Sequence, residues 1–549
     1  MLMKKYLFFL LLAIYSHGYA QVDVGKSPLQ EARQEITQQQ PVTIPINLKQ
    51  INKNQIYPVE FPCLNIKFVF FNGQELFATS LQKKLSTLAD NIIGQCLGDE
   101  GVKNFLTKVN YVFINAGYVT TKISLPEQSF MYGILRIELI PGLISDIRYA
   151  DTGKSHYSLH TAFPQATILN VQDIEQGLEN LQNSPSTQPQ ITVDDDPTTA
   201  NSSILTIKRQ KKRAIRGRFS LDNSGLRDHA NLMIDNVLMF DNPTLLNDFF
   251  YFYISRDLDT DHSRGVKIGT FFYSLPFRNW QFNLSGNYQD QYSADGIKTS
   301  VGNLYKSNRS KSLTAQGQYL IKRRYNSKTY LNFGTSIMTN NGYIGDYEIS
   351  VYKRRATYWN VGLKHQQYLP RGELNLAMEY KQGADWFGAM PSPAKELKRP
   401  QIFQFSAAIN QPWQISKQIF LYEASAAIQL SRSKLDSLIV TNGIGGSNSV
   451  RVAMLTNTIS GSNSLLIKNE ISWLTPLPGH VLYATLDYGS VSEDRARFWR
   501  DEYLVGTSLG LKGSYKQLDY TIFVGFPLLN SSDSKQDHMV SGFRLTYSY

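Results

Sequence analysis

The chain has 549 residues, of which 42% are hydrophobic and 18% are charged, and its formal net charge at pH 7 is +11. The length leaves room for several domains. Beyond the first twenty residues no run of about eighteen apolar residues occurs, which excludes a transmembrane helix there and leaves either a soluble chain or a β-barrel.

The first twenty residues have the pattern of a secretory signal peptide. Lys4 and Lys5 form a positively charged start, residues 6–14 are apolar, and Gly18 and Ala20 supply small residues for cleavage. The apolar run of about nine residues is too short to span a bilayer. We therefore expect an exported protein, with an uncleaved anchor helix as the alternative. An exported protein does not meet nucleic acid, so nucleic acid is not an expected partner. We expect the excess of positive charge to line the lumen of a pore or to face anionic lipid.

Residues 21–60 are polar and predict one helix followed by an extended linker. Ser27 is a capping residue, Pro28 stands in the first turn, Gln30 occupies the capping-box position, and Pro41 ends the helix. The apolar face of this helix is too thin to hold it against water on its own. The helix is therefore either frayed in solvent or docked in a polar cavity.

Residues 61–210 predict two tandem copies of one β-α-α-β-β order. In the first copy the elements are a strand at 65–71, helices at 79–93 and 99–116, and strands at 119–124 and 133–139. In the second copy they are a strand at 143–149, helices at 156–163 and 171–183, and strands at 190–193 and 202–209.

The two cysteines of the chain, Cys63 and Cys96, both lie in the first copy. In an oxidising periplasm an even pair indicates a disulfide, and the alternative is two buried thiols. The eight histidines show no metal-ligand spacing, so we expect neither a metal site nor a cofactor.

From about residue 211 helical periodicity gives way to period-two alternation. A soluble β-sandwich gives the same alternation. Aromatic residues crowd the strand ends and the last strand ends on Tyr549, which favours an outer-membrane barrel. We count sixteen strands, with starts near 214, 228, 247, 264, 279, 311, 328, 350, 372, 400, 418, 465, 480, 503, 518 and 538.

One connection, between strands ending near Leu430 and starting near Leu465, is over thirty residues long and rich in Gly, Ser and Asn. Alternation from the first strand places it on the outer side, where barrel loops are long, and loops of this length are often functional.

Sequence patterns typical of catalytic sites have little support. Residues 506–510 match a hydrolase elbow but lie in an alternating strand rather than a strand–turn–helix, and the sequence has no P-loop. We expect no enzyme.

The chain resembles the outer-membrane transporters of two-partner secretion over nearly its whole length. The matching motifs are Cys96–Gly98, Gly117–Thr121, Leu125–Gln128 and Gly133–Leu135 in the first copy, Asn170–Leu181 in the second, and Leu221–Gly225 and Asp241–Pro243 in the barrel. The resemblance implies a sixteen-stranded antiparallel transmembrane barrel preceded by two α+β POTRA domains and a plug helix. The implied parts are a signal peptide at 1–20, the plug helix and linker at 21–60, POTRA domains at 61–141 and 142–210, and a barrel at 211–549 with a loop at 431–464 that folds inward.

The resemblance also implies a function in the bacterial outer membrane, with the N-terminal domains in the periplasm. The monomeric pore, surrounded by outer-membrane lipid, would recognise an unfolded, large, β-helical exoprotein (a haemolysin, an adhesin or a contact-dependent toxin) through the edge strands of its POTRA domains. It would then translocate this partner to the cell surface without nucleotide hydrolysis. The alternatives are a POTRA-barrel factor that inserts other outer-membrane proteins, which usually has a different number of POTRA domains and lacks the plug, and a passive porin or receptor.

The family's loop motif is Val-Arg-Gly followed by an aromatic residue, and here it reads Val450, Arg451, Val452, Ala453. The resemblance pairs Arg451 with Asp487 on a barrel strand, which would lock the loop in the lumen. The alternative is that both are ordinary lumen charges. In the first POTRA domain the resemblance places partner-binding residues at Tyr118, Thr120, Thr121, Pro126 and Gln128.

Overall fold

The computed structural model describes residues 57–549, with gaps at 130–131, 165–166, 224–231, 259–264, 300–301, 392–398, 437–441, 445–449, 452–458 and 532–538. The signal peptide and the plug helix expected before Tyr57 lie outside the described residues. Within the described part of the chain, no helix combines the length and the apolar character needed to cross a membrane.

The first small domain packs two helices against one face of a three-stranded sheet. Its elements are β1 (Leu64–Asn65), β2 (Phe68–Asn72), α1 (Thr79–Asp90), β3 (Cys96–Leu97), α2 (Asp99–Asn115), β4 (Lys122–Ser124) and β5 (Ile134–Ile140). The sheet order is β2-β5-β4. Alternate residues of β5, such as Leu135 and Ile137, are buried against Leu85 and Phe105 of the helices, as the predicted amphipathic patterns require. A disulfide between Cys63 and Cys96 joins the start of the domain to β3, just before α2.

The second small domain repeats this plan with the sheet order β6-β8-β7. Its elements are β6 (Leu143–Tyr149), α3 (Tyr157–Ala162), α4 (Val171–Gln182), β7 (Thr187–Asp195) and β8 (Ser202–Lys211). Asn170 caps α4 by accepting a hydrogen bond from the Gln172 amide. Ile174, Leu178 and Leu181 of this helix are buried in the domain core.

The rest of the chain forms a closed antiparallel barrel. Its strands are β9 (Ile215–Asp222), β10 (Met233–Asp241), β11 (Phe249–Asp257), β12 (Gly265–Phe277), β13 (Trp280–Thr299), β14 (Gly302–Arg324), β15 (Ser327–Ile344), β16 (Tyr347–Leu369), β17 (Gly372–Ala384), β18 (Gln401–Ile415), β19 (Gln418–Ser431), β22 (Asn463–Leu474), β23 (His480–Ser492), β24 (Glu502–Tyr515), β25 (Leu518–Asn530) and β26 (Val540–Ser548). The last strand pairs with the first over residues 544–548 and 218–222, which leaves no open edge. Two short strands that pair only with each other, β20 (Asn442–Ile444) and β21 (Ile459–Gly461), lie in the connection between barrel strands β19 and β22.

The structure confirms the predicted class of a sixteen-stranded barrel behind two α+β domains. Most strands begin close to the expected positions. The main exception is β14, which begins at Gly302 rather than near residue 311. Its first residues pair with β13. Residues 302–310 are mostly polar, so alternation of apolar and polar residues does not mark this part of the strand in the sequence.

Candidate functional site

The described parts of the connection between β19 and β22 lie against the inner wall of the barrel. They contain a short antiparallel pair, β20 (Asn442–Ile444) and β21 (Ile459–Gly461). Leu482 and Leu486 of β23 are exposed on the outside of the barrel, so the alternate residues of this strand face the lumen. Gly489 is one of them, and a Cβ there would lie 2.9 Å from methyl groups of both Ile444 and Val450. The loop therefore rests directly on this strand.

Val450 and Ile444 bury their side chains in an apolar cluster with barrel residues Tyr483, Val491 and Leu504. Val450 is 0% exposed, so this first residue of the loop motif is a packing residue. Val452 and Ala453, the other two motif positions, lie outside the described residues. The cluster gives the described part of the loop an apolar anchor on the inner wall of the barrel.

Arg451 and Asp487 meet in a two-pronged contact. Arg451 Nε donates to Asp487 Oδ2 at 2.8 Å, and Nη2 donates to Asp487 Oδ1 at 2.8 Å. The backbone N–H of Arg451 adds a third hydrogen bond to Oδ2 at 3.1 Å. The side chains are 6% and 0% exposed. A guanidinium fork matches a carboxylate in this geometry, which makes the contact stronger and more directional than a lysine could.

The contact is half of a larger buried network. Arg451 Nη1 donates to Glu470 Oε2 at 2.7 Å, and Lys512 Nζ donates to Glu470 Oε1 at 2.5 Å. Arg451 Nη2 also donates to the Asn469 carbonyl at 2.9 Å. Two carboxylates thus face two cations, and the sum of formal charges is zero. Leaving one such buried charge without its partner costs about 3–5 kcal/mol.

Sequence reasoning missed Glu470 and Lys512. Both are inward-facing charges on strands next to Asp487, but their proximity depends on the register of β22, β23 and β24. Register is a property of the pairing between strands, so alternation within one strand could identify the inward face and not the neighbours.

The five residues of the first small domain that are expected to bind a partner all make contacts within the protein itself. The Tyr118 ring packs edge-on against Phe77, with centroids 5.1 Å apart. Thr121 is buried and Thr120 lies beside Gly142, where the second domain begins. Their contact with a partner stays a prediction.

Gln128 has a clear role in the sheet. Its Oε1 accepts from the Arg136 amide at 2.8 Å, and its Nε2 donates to the Arg136 carbonyl at 2.8 Å. The side chain therefore continues the pairing on β5 past the point where β4 ends, and its Nε2 also donates to the Pro126 carbonyl at 3.4 Å.

The second small domain is tied to the periplasmic rim of the barrel. Glu179 of α4 accepts from Arg323 Nη1 at 3.0 Å and also pairs with Lys328. Asn180 Nδ2 donates to the Arg278 carbonyl at 2.7 Å, and Asn183 Nδ2 donates to the Asn247 carbonyl at 2.8 Å. Charged and amide contacts thus fix α4 across the mouth of the barrel.

The same helix carries a perturbed acid. Burial raises the pKa of the Asp173 carboxyl above its usual range, and the nearby Arg323 guanidinium offsets part of this rise. Burial therefore disfavours the ionised form of this carboxyl, and the barrel cation Arg323 favours it.

A polar cavity of about 460 Å³ lies inside the barrel next to α4. Amides from the helix and from the barrel strands share its lining, among them Asn180, Asn183, Gln281, Gln316 and Gln318. Amide groups both donate and accept hydrogen bonds, so this lining can bond to the backbone of an extended segment of any sequence, or to the polar side chains of a helix.

Comparison with known proteins agrees with this architecture. A family model described as haemolysin secretion/activation protein ShlB/FhaC/HecB matches residues 201–513. A ShlB-type POTRA model matches residues 64–142, and a second POTRA model matches residues 143–194. The two small domains are therefore POTRA domains.

The chain is 27% identical over 526 residues to the outer membrane transporter CdiB-2 of Burkholderia pseudomallei, which covers 90% of this chain and 88% of that relative. The solved structure of CdiB from Acinetobacter baumannii matches with a TM-score of 0.83 at 24% identity, covering 95% of this chain and 97% of that one. CdiB from Escherichia coli matches with a TM-score of 0.82 at 23% identity, covering 95% and 96%. At these identities the two structures show that the fold is the same.

Proposed function

Because this chain belongs to the family of haemolysin secretion/activation proteins, we propose that it exports one large secreted protein from the periplasm to the cell surface through the lumen of its barrel. It is an outer-membrane transporter with its POTRA domains in the periplasm. The family serves secreted proteins rather than catalysing a reaction.

The observation that supports this function best is the buried contact of Arg451 with Asp487 and Glu470. We propose that it is a lock that keeps the loop in the lumen at rest. A chain in transit needs the space that the loop occupies, so Arg451 has to leave both carboxylates before export.

The POTRA domains receive the cargo in this proposal. The edge strands of their sheets offer backbone groups that an unfolded segment can pair with whatever its side chains are. The amide-lined cavity beside α4 then accepts the segment at the periplasmic mouth. In the resting state the same cavity suits the polar plug helix proposed for residues 21–60.

The cargo is a large β-helical exoprotein: a haemolysin, an adhesin or a contact-dependent toxin. The pore acts as a monomer in contact with outer-membrane lipid through its outward apolar residues. The sequence has no P-loop, so folding of the exported chain outside the cell supplies direction in place of nucleotide hydrolysis.

Secretion of the exoprotein encoded next to this chain tests the proposal, in a host that lacks both proteins. We expect the exoprotein in the medium or on the cell surface only when this chain is present. Retention in the periplasm in both cases, together with accumulation of other unfolded outer-membrane proteins on deletion, would replace export with an assembly function.

A further inference from the structure

Four neighbouring barrel strands, β13 to β16, extend much further than the others. They have 18 to 23 residues, whereas β9 to β11 have 8 or 9. A tilted strand of about 9–11 residues already crosses the membrane. The four long strands therefore continue past the apolar band on the cell-surface side, and their outer faces form a wall above it.

A basic row crosses this wall at one level. Tyr288 pairs with Lys311, Lys311 pairs with Thr339, and Thr339 pairs with Arg355, on four successive strands. The side chains point away from the lumen, because Leu313, two residues from Lys311, is 44% exposed on the outer face. Lys311 and Arg355 thus flank Thr339 from the two adjacent strands, about 10 Å apart at the backbone.

The level of this row matches that of lipid headgroups. Trp280, at the periplasmic start of β13, and Tyr288 are separated by eight residues, or about 26 Å along a strand. A tilted strand covers most of an apolar band of about 25 Å in that length, and Trp and Tyr mark its two interfaces. Lys311 is paired with Tyr288 and therefore stands where the outer leaflet places its polar groups.

A cavity of about 320 Å³ opens beside the row and includes Lys311, Thr339 and Arg355 in its lining. Other cations around it are matched by acids: Arg309 pairs with Asp290 at 3.2 Å, and Lys353 pairs with Glu348 at 3.2 Å.

Lys311 and Arg355 differ from these neighbours. Among the described residues neither has a carboxylate partner, and both are exposed. The cavity thus presents two uncompensated cations and a hydroxyl group, all directed outward at headgroup level.

We propose that Lys311, Thr339 and Arg355 bind the phosphate group of an outer-leaflet lipid whose acyl chains lie along the apolar face below. An ammonium, a guanidinium and a hydroxyl group converge on a tetrahedral anion, and Arg355 can bind two of its oxygens at once. Basic pockets on membrane proteins at the level of the headgroups recognise phosphorylated lipids in this way. This site is independent of the export pathway in the lumen.

Native mass spectrometry of the purified full chain in detergent, with added bisphosphorylated lipid A as the probe, tests the proposal. Each basic residue near an anionic headgroup contributes about fivefold in affinity, so the double variant Lys311→Gln/Arg355→Gln should bind about 25-fold more weakly than the wild-type chain. Lys311→Arg should bind almost as tightly as wild type. Lipid A stripped of its phosphates should bind the wild-type chain as weakly as intact lipid A binds the double variant.

The matched control is Lys322→Gln/Arg324→Gln, which removes two exposed cations from the periplasmic end of the same strand. This control should retain lipid as wild type does, and heat-modifiability on gels verifies that every variant is folded. Equal binding by the double variant and wild type, or an equal loss in the control, would overturn the site. Displacement of the lipid by an excess of inorganic phosphate would show a free-phosphate site instead and would overturn the assignment to lipid.

Discussion

At the scale of single residues, Arg451 is held by two carboxylates on different strands. Exchange of charges between Arg451 and Asp487 tests this arrangement. The position of Glu470 limits how far the exchange can restore the closed state. An aspartate at 451 would face Glu470, whose Oε2 now lies 2.7 Å from Arg451 Nη1. We expect Arg451→Ala and Asp487→Ala to raise pore conductance in planar bilayers, and Arg451→Asp/Asp487→Arg to restore only part of the resting state.

Adding Glu470→Gln to the exchanged pair removes the new repulsion and should bring the conductance closer to that of wild type. If the exchanged pair conducts as much as the single alanine variants do, with or without Glu470→Gln, the two side chains are not coupled and the lock is wrong.

Removal of Glu470 and removal of Lys512 should shift the equilibrium between the closed and the open pore in opposite directions. Glu470 attracts Arg451, so Glu470→Gln should increase the time that the pore is open. Lys512 competes with Arg451 for the same carboxylate, through Oε1 at 2.5 Å, so Lys512→Met should decrease it. Coupled neighbours of this kind change an equilibrium by about 0.5–3 kcal/mol, or roughly two- to 150-fold, which single-channel recording resolves.

Lys322→Met, far from the network, is the control for loss of a lysine. The same direction of change in Glu470→Gln and Lys512→Met would contradict the competition between Lys512 and Arg451.

At the scale of elements, the loop lies close to β23 because position 489 has no side chain. A Cβ at Gly489 would come within 2.9 Å of Ile444 and Val450. Gly489→Val should therefore lift the β20–β21 pair from the wall and make cells sensitive to large antibiotics that a closed barrel excludes.

Gly269 offers a matched control, because nothing lies within 4 Å of a Cβ built there. Gly269→Val in β12 should leave antibiotic sensitivity unchanged. Equal sensitivity in both variants would mean that a valine in a barrel strand acts through strand stability, not through the loop.

At the scale of the whole molecule, the contact of Glu179 with Arg323 and Lys328 sets the position of the second POTRA domain on the barrel. The two cations are 4% and 7% exposed, so Glu179→Gln leaves them buried without a carboxylate. We expect faster proteolytic release of the POTRA pair from the folded barrel in this variant.

Glu100→Gln is the control for this experiment, because its pair with Lys103 is exposed at 62% and 68% and such pairs contribute little. Unchanged release from Glu179→Gln would show that the amide contacts of Asn180 and Asn183 hold the domain without the ion pairs.

The parts that could be predicted from the sequence are those encoded locally. The alternation of apolar and polar residues lies within each strand, so the sixteen strands and their inward faces were predictable. Helical periodicity predicted α1, α2 and α4. The upper half of β14 was missed because polar residues outside the apolar band carry no alternation. Arg451 and Asp487 were paired through resemblance alone, and Glu470 and Lys512 were missed because their meeting depends on strand register.

The balance of charges around Arg451 has a consequence for what the open channel conducts. With the loop in place, three carboxylates and three cations sum to zero. Once Arg451 withdraws, three carboxylates (Asp487, Glu470 and Glu423, which lies opposite Glu470) face two cations (Lys512 and Lys468, which lies opposite Asp487), so one excess negative charge is left at that depth of the lumen. The open channel should therefore prefer potassium over chloride, and its reversal potential in a salt gradient should move toward zero in Glu470→Gln and away from zero in Lys512→Met.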